Sequence, residues 1–303
     1  MPQRIFYASH AVSVGGTVVE GAQSVSVNTN FNLEQVFQLG RIAIYDNVTT
    51  DPDVEVTVSK ALDGQRLIYS LATNATAFSP GCIDTDANKQ CDIILGVGDD
   101  AAGFIAANTS SITMTGCFIT NISYTIPVDG NMTEEIQFVG SHKEATGSAL
   151  APTATAPDTK VLRRQHLHNS TVLPAAVDGQ NISNISISAS LNREKMFTLG
   201  QMSPFHRFVN FPLEVTCSFD VIATGTDGIE IEVQNTNCVG MNFEPEEIVI
   251  HLCNEGTGAI YSFDLGDKCK LQSVNYSGGD TSGGNVTLTY TYITYNDLCI
   301  EGP

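Results

Sequence analysis

One ten-residue sequence occurs twice in this chain, about 160 residues apart. Residues 31–40 read FNLEQVFQLG and residues 191–200 read LNREKMFTLG, with five identical positions out of ten. Further matches follow in the same order at offsets of 152 to 160 residues: Val25–Val27 with Ile185–Ile187, Val54–Thr57 with Leu213–Thr216, Cys117 with Cys269, and Gly130–Thr133 with Gly284–Thr287. An ordered series of matches at nearly constant offset indicates that one domain is present in two copies.

The segment between the two copies has the composition of a linker. Residues 145–159 read ATGSALAPTATAPDT, a stretch of small residues interrupted by proline, which is typical of an extended connection. We therefore predict a first domain over residues 1–144 and a second over residues 160–303. Each is long enough to bury a core of its own.

Alternation of apolar and polar residues dominates both copies. Residues 54–58, 182–188 and 228–233 all follow this pattern, which is the signature of a half-buried strand. The best helix candidate is residues 63–73, with Asp63 as the N-cap and Leu67, Ile68 and Leu71 on one face. The sequence predicts an all-β fold, an antiparallel sandwich or barrel, with about one short helix per unit.

The balance of charge excludes some functions. The chain has 14 Lys and Arg side chains against 33 Asp and Glu, a formal net charge of −19. Residues 1–150 carry −10 and residues 151–303 carry −9, so the negative charge belongs to both copies. Such a surface repels phosphates, which argues against a protein that grips nucleic acid.

Sequence motifs of catalysis and cofactor binding are absent. The chain contains no G-x-S-x-G, Walker-type, G-x-G-x-x-G or H-E-x-x-H sequence, so we expect no enzymatic activity and no cofactor. No run of 18 apolar residues occurs, and we therefore expect no membrane insertion. The first ten residues also lack the apolar region of an export signal.

The eight cysteines form no C-x-x-C pair, which counts against a zinc ribbon or a thioredoxin-type site. Isolated buried thiols are the simplest interpretation. Cys82 and Cys91 flank a polar loop and are the candidates for a disulfide if the protein leaves the reducing cytosol.

An acidic loop between these two cysteines has part of the calcium-binding pattern. Asp84, Asp86, Asn88 and Asp92 have the spacing that supplies oxygen ligands. Lys89 stands where the turn of such a loop needs glycine, and Leu95 stands where a bidentate Glu is expected. A solvated loop without metal is therefore the favoured interpretation, and calcium is only a weak alternative.

The repeated segment ends in large apolar residues in both copies. Phe37 and Leu39 in the first correspond to Phe197 and Leu199 in the second. These side chains either belong to the core or lie on a projecting hairpin that contacts a neighbouring subunit. The sequence alone leaves both alternatives open.

Residues 23–27, 34–40, 52–57 and 62–64 resemble the tail tube, or major tail, proteins of long-tailed double-stranded DNA bacteriophages. The resemblance implies a sandwich or split barrel with a flanking helix and a long hairpin between early strands. It also implies stacked rings whose inner strands form a barrel around a DNA-sized channel. The tandem form resembles those phages in which three two-domain chains make a pseudo-hexameric ring.

The resemblance further implies where the protein works and what it meets. It would be a virion protein, assembled in the host cytoplasm, that contacts itself, the tape measure, the baseplate and the tail terminator. DNA would pass through without specific binding, which an acidic lumen favours. Glu55 and Glu214 coincide in the comparison of the two copies and are the leading lumen candidates, with Asp53, Glu230 and Glu232 as further candidates. The alternative is that these are ordinary solubilising carboxylates.

Other functions fit the same predicted fold. A two-domain β-sandwich could be a receptor-binding or carbohydrate-binding tail protein or adhesin, although such surfaces usually display clustered aromatics and this chain has no Trp. A tail terminator or baseplate part would share the tube domain.

Overall fold

A computed structural model describes residues 5–74, 81–99, 110–146, 150, 160–223, 244–253, 260–278 and 285–302. In this part of the chain the strands are β1 (Ile5–Val14), β2 (Thr17–Val18), β3 (Ala22–Asn30), β4 (Leu33–Phe37), β5 (Ile44–Thr49), β6 (Asp53–Ala61), β7 (Gly81–Cys82), β8 (Cys91–Asp99), β9 (Ser110–Pro127), β10 (Thr133–Gly140), β11 (His142–Thr146), β12 (Asn181–Ser190), β13 (Arg193–Met196), β14 (His206–Val209), β15 (Glu214–Ile222), β16 (Val249–Cys253), β17 (Ile260–Asp264), β18 (Lys270–Ser277), β19 (Thr287–Tyr295) and β20 (Cys299–Glu301).

Helical structure is scarce and concentrated in the first half. The helices are α1 (Ile68–Thr73), α2 (Ile83–Asp86) and a 3₁₀ turn at Arg164–His166. The all-β prediction is therefore confirmed, but among the described residues the second half contributes only the 3₁₀ turn. No helix in these ranges is long and apolar enough to span a membrane.

A continuous antiparallel sheet runs through both halves of the chain. Its strands lie in the order β3, β6, β10, β9, β12, β15, β19, β18. The first four strands come from the first half and the last four from the second. The halves meet where β9 pairs with β12, so the last strand of one four-stranded unit joins the first strand of the next.

The two four-stranded units have irregularities at corresponding places. The register between β3 and β6 skips Gln23, and the register between β12 and β15 skips Ser183. The register between β9 and β10 skips Thr120, and that between β18 and β19 skips Gln272. Bulges bend a strand locally, so the two units agree in strand order and in the positions of their bends.

One face of this sheet is buried. Along β6, Val54, Val56 and Val58 are buried while Glu55 is exposed, as the alternation predicts. Two smaller sheets cover the buried face: one contains β2, β1, β8, β11 and the beginning of β9, and the other contains β16, β17, β20 and β7. The ring contact of Tyr124 with Phe263, at 4.5 Å, joins the two layers across the halves. A single hydrophobic core results.

The predicted N-cap of the helix was wrong. Helix α1 begins after Leu67, and Asp63 instead forms an ion pair with Lys60 at 3.1 Å. The N–H groups of the first two helical residues donate to the buried carboxylate of Glu134 on β10, at 2.7 and 3.0 Å. A carboxylate at this position satisfies the free donors of the helix N-terminus, so the helix starts where the neighbouring strand supplies one.

The predicted disulfide was also wrong. Cys82 is bonded to Cys299, and Cys91 is a free, buried thiol on β8. Strands β7 and β20 pair directly at Cys82 and Cys299, which brings together cysteines that are 217 residues apart. The domain boundaries at 144 and 160 stay a prediction, since most of the linker lies outside the described residues.

Candidate functional site

The two ends of the large sheet are complementary. Within the chain, β9 pairs with β12 in a register that places Tyr124 opposite Ile187. Strand β3 stands at one end of the sheet and occupies the place in its unit that β12 occupies in the second. Strand β18 stands at the other end and corresponds to β9. In the described part of the chain nothing pairs with the outer edge of either end strand, and an open edge is a template for another strand.

The exposed face of the large sheet is mostly polar and mostly uncharged, although Val139, Ile293 and Tyr295 also lie on it. The register places hydroxyl and amide side chains of all eight strands on this face: Ser24, Ser26, Asn28, Asn30, Thr57, Ser59, Asn121, Ser123, Thr125, Thr133, Gln137, Asn184, Ser186, Ser188, Ser190, Thr216, Ser218, Ser273, Asn275, Ser277, Thr287, Thr289 and Thr291. Side chains opposite each other in antiparallel strands share a face. The result is a polar surface that continues across the joint between the halves.

Carboxylates are scattered over this polar face. Glu55 and Glu214, the two leading candidates from the sequence, are both exposed on it. Asp53 lies on the same face but forms ion pairs with two basic side chains, so its charge is compensated. Glu230 and Glu232 lie outside the described residues.

The two leading candidates are not equivalent in the structure. Val25 pairs with Val58, and Ile185, its counterpart, pairs with Phe219. Strand β15 is therefore offset from β6 by 161 residues rather than 159. Glu55 then corresponds to Thr216, and Glu214 corresponds to Asp53. The expectation that Glu55 and Glu214 coincide was wrong by two positions.

Two further carboxylates share this face and were missed by sequence reasoning. Glu135 lies opposite Ser59, and Asp220 lies opposite Asn184. The Asp220 carboxylate accepts hydrogen bonds from Thr289 at 2.6 Å and from Asn184 at 3.1 Å. The period of two along β15 was a sufficient signal for Asp220, which lies between the buried Phe219 and Val221. It was not sufficient for Glu135, because the preceding residue, Glu134, is a second carboxylic acid and is the one that the fold buries.

The repeated segment forms a hairpin in each half. The β4–β5 hairpin exposes Phe37 at 65% and Leu39 at 102%, and the β13–β14 hairpin exposes Phe197 at 54% and Leu199 at 102%. None of the four side chains belongs to the core. They stand on projecting hairpins, one of the two arrangements that the sequence left open.

The base of the β13–β14 hairpin is fastened to the first half of the chain. Lys195 and Arg207 face each other across the hairpin, and each approaches the Asp53 carboxylate to 2.7 Å. Asp51 lies 3.2 Å from Lys195 and 3.4 Å from Arg207. Burial alone would raise the pKa of Asp53, but the hydrogen bonds from Lys195 and Arg207 outweigh it and hold the pKa below its ordinary value.

Arg193 provides a second attachment at this base. Its guanidinium donates to the backbone carbonyl oxygens of Ile119 at 2.7 Å, Arg207 at 3.0 Å and Ala87, and it lies 4.8 Å from the centre of the Phe118 ring. Burial, together with the nearby charge of Arg207, lowers the pKa of Arg193 to about 10. The group therefore stays charged at neutral pH. Sequence reasoning did not identify these basic residues.

The acidic loop does not bring its predicted calcium ligands together. Asp86 forms an ion pair with Lys89, Asn88 accepts from the Val209 N–H, and Asp92 accepts from the Gly116 N–H. Asp84 is exposed on helix α2. In the ranges that the structure describes, no three His, Cys, Asp or Glu side chains converge as metal ligands would.

A comparison with protein-family models agrees with the resemblance seen in the sequence. Residues 7–75 match a family model described as Phi812 tail tube protein. No curated protein matches the chain. A solved structure with some similarity is the anti-feeding prophage cap, described as the AFP tube terminating cap. It is 16% identical with a TM-score of 0.36, and the alignment covers 49% of this chain and 94% of the cap chain.

The described part of the chain is all-β, with open sheet edges and exposed hairpins. The family match over residues 7–75 confirms the predicted resemblance to phage tail tube proteins, and it supports a structural, non-enzymatic protein of the virion tail that assembles with other tail proteins. Because the match covers one segment of the first half, the tandem form of the resemblance stays a prediction.

Proposed function

We propose that three chains close head to tail into a ring, and that stacked rings form the phage tail tube. The observation that carries this proposal is the pairing of β9 with β12. This joint is heterologous: it unites two different edges, and the same two kinds of edge are open at β18 and β3. Repeating a heterologous joint generates a ring where the rotation closes.

The intrachain joint also supplies the register of the joint between chains. Tyr124 lies opposite Ile187, so Tyr276 of one chain is expected opposite Val27 of the next. Three chains of eight strands give a barrel of 24. With about 4.8 Å between strands and a tilt of about 40°, such a barrel measures about 48 Å between opposite backbones. A DNA duplex fits inside a barrel of this width.

The polar face of the sheet is the face that would line the channel. The opposite face carries the smaller sheets and the core. These layers would not fit inside the channel, so they lie on the outside of the barrel. The lining would be hydroxyl and amide groups with the carboxylates of Glu55, Glu135, Glu214 and Asp220. Lys270 is the basic residue that the register places on this face. Such a surface repels phosphates weakly everywhere, so DNA slides through without binding.

The hairpins would make the contacts between stacked rings. Leu39 and Leu199 are fully exposed at corresponding places on the two hairpins, and apolar side chains in that position mark an interaction surface. At the two ends of the tube, the exposed hairpins would contact the tape measure, the baseplate and the tail terminator.

Cysteine crosslinking combined with negative-stain microscopy tests the ring. Ser123 pairs with Ser188 at the intrachain joint, and the corresponding residues at the open edges are Asn275 and Asn28. The double variant Asn28→Cys with Asn275→Cys should crosslink into species of two and three chains, and the ladder should end at three. Microscopy of the purified protein should show rings or hollow tubes.

A mismatched pair is the control for this experiment. Asn28→Cys with Lys270→Cys places the second thiol five residues away along β18 and should crosslink poorly. A persistent monomer, a ladder that continues past three chains, or equal crosslinking of both pairs would contradict the proposed ring.

A further inference from the structure

The β13–β14 hairpin shows how a hairpin of this fold sits on the unit next to it. Its base crosses from the second half of the chain to the beginning of β6 in the first half. There Lys195 and Arg207 contact the Asp53 carboxylate, and Arg207 also donates to the Ser141 hydroxyl at 2.8 Å. The contact is therefore part of the joint between two neighbouring four-stranded units.

In the described ranges, the β4–β5 hairpin has no such attachment to its own chain. Gln35 and Asn47 face each other across its base, in the place that Lys195 and Arg207 occupy in the other hairpin. Both are exposed. The offset of 160 residues is the same on both strands of the hairpins, so this correspondence does not depend on side-chain similarity.

The surface that corresponds to Asp53 is also present and open. The register of the large sheet matches Glu214, the first residue of β15, with Asp53. Glu214 is exposed, and its carboxylate forms no ion pair within the described ranges of the chain. Each half thus has both parts of the contact, a hairpin base and a carboxylate at the start of a strand.

We propose that the β4–β5 hairpin of one chain sits on the second half of the next chain, with Gln35 and Asn47 facing Glu214. The occupant of this surface is a second copy of the same protein, and the inference rests on the proposed ring. Amide groups donate hydrogen bonds to a carboxylate but bring no opposite charge. The joint between chains is therefore weaker than the joint within the chain, and the ring opens between chains.

A substitution that gives the β4–β5 hairpin the positive charge of the β13–β14 hairpin tests this proposal. Gln35→Lys introduces the residue type of Lys195 and should form an ion pair with Glu214 of the next copy. We expect ring dissociation constants lower by roughly threefold to tenfold in about 50 mM salt, and a smaller gain in about 500 mM salt. The measurement is ring dissociation on dilution, followed by mass photometry.

Two further variants make the result specific. In the double variant Gln35→Lys with Glu214→Gln the gain should disappear, because the partner carboxylate is gone. Gln38→Lys adds the same charge to the same hairpin away from its base and should leave the dissociation constant nearly unchanged. Equal gains for positions 35 and 38, or a gain that survives loss of the Glu214 charge, would overturn the hairpin contact.

The same measurements separate this inference from the ring itself. If the unmodified protein forms no rings, both the ring and the hairpin contact fail. If rings form and crosslink at the open edges but Gln35→Lys has no effect on them, only the hairpin contact fails. Thermal unfolding of each variant checks that these exposed substitutions leave the fold intact.

Discussion

The two hairpins of this protein share a sequence but differ in their surroundings. Their ends are alike, since Leu39 and Leu199 are both fully exposed. Their bases differ. The second hairpin is attached to the first half of its own chain through Arg193, Lys195 and Arg207, whereas every residue of strands β4 and β5 is exposed.

In the proposed ring, the ends and the bases of the hairpins contact different neighbours. The hairpin ends are alike in both halves, which fits a partner that contacts both hairpins in the same way, as a stacked ring would. Bases that diverge suit two different joints, one inside a chain and one between chains. A joint inside a chain is made whenever the chain folds, so it can be strong without affecting assembly.

Removing the Arg193 attachment should make the β13–β14 hairpin resemble the β4–β5 hairpin. Arg193→Leu introduces the residue found at the corresponding position, Leu33, and leaves the carbonyls of Ile119 and Ala87 without their donor. Because buried acceptors are costly to leave unsatisfied, we expect the free energy of unfolding to fall by about 3 kcal/mol. Urea denaturation of the unassembled chain measures it.

An exposed arginine provides the control for this variant. The side chain of Arg164 is 67% exposed and lies 3.9 Å from Asp129, so Arg164→Leu should change the free energy of unfolding by less than about 0.5 kcal/mol. Equal losses for both variants would mean that Arg193 does not fasten the hairpin.

The ion pairs at the same base should make hairpin attachment depend on pH. The pKa of Asp53 in the folded protein lies below the ordinary value of 3.8, so its ionised form stabilises the fold above that value. This contribution is lost as pH falls through the lower, folded-state pKa. Asp53→Asn should cost about 1.5 kcal/mol at neutral pH and flatten the loss of stability below pH 4.

Denaturation between pH 3 and pH 7 measures this effect. Asp129→Asn removes an almost fully exposed carboxylate and should leave the pH profile of the unmodified protein in place. If the profile of Asp53→Asn is as steep as that of the unmodified protein, the ion pairs do not stabilise the attached hairpin.

The sequence predicted the parts of this structure that depend on local pattern. The alternation along β6 placed Val54 and Val56 inside and Glu55 outside. The repeated segment marked both places where a hairpin forms, although it left open whether the apolar residues there belong to the core. The sequence could not fix the offset of β15, because a shift of two residues leaves the alternation of a strand unchanged. Pairing with the neighbouring strand decides that offset, and the pairing is not written in either strand alone.

Contacts between distant residues were beyond the sequence for a related reason. The helix N-terminus is satisfied by Glu134, 66 residues further along the chain, and Cys82 bonds a cysteine 217 residues away. Lys195 reaches Asp53 across 142 residues. Each partner had several local alternatives of the same chemical type, and only the folded sheet selects among them.

The ends of the hairpins should show the smallest effect on folding. Leu39→Ser with Leu199→Ser changes two fully exposed side chains, so the free energy of unfolding should shift by less than about 0.5 kcal/mol. Single rings should still form, but stacked tubes should become short or disappear. Microscopy with length measurement tests this, and Val161→Ser, an exposed apolar residue away from the hairpins, is the control. Tubes of normal length in the double variant would show that the alike ends of the two hairpins serve no common neighbour.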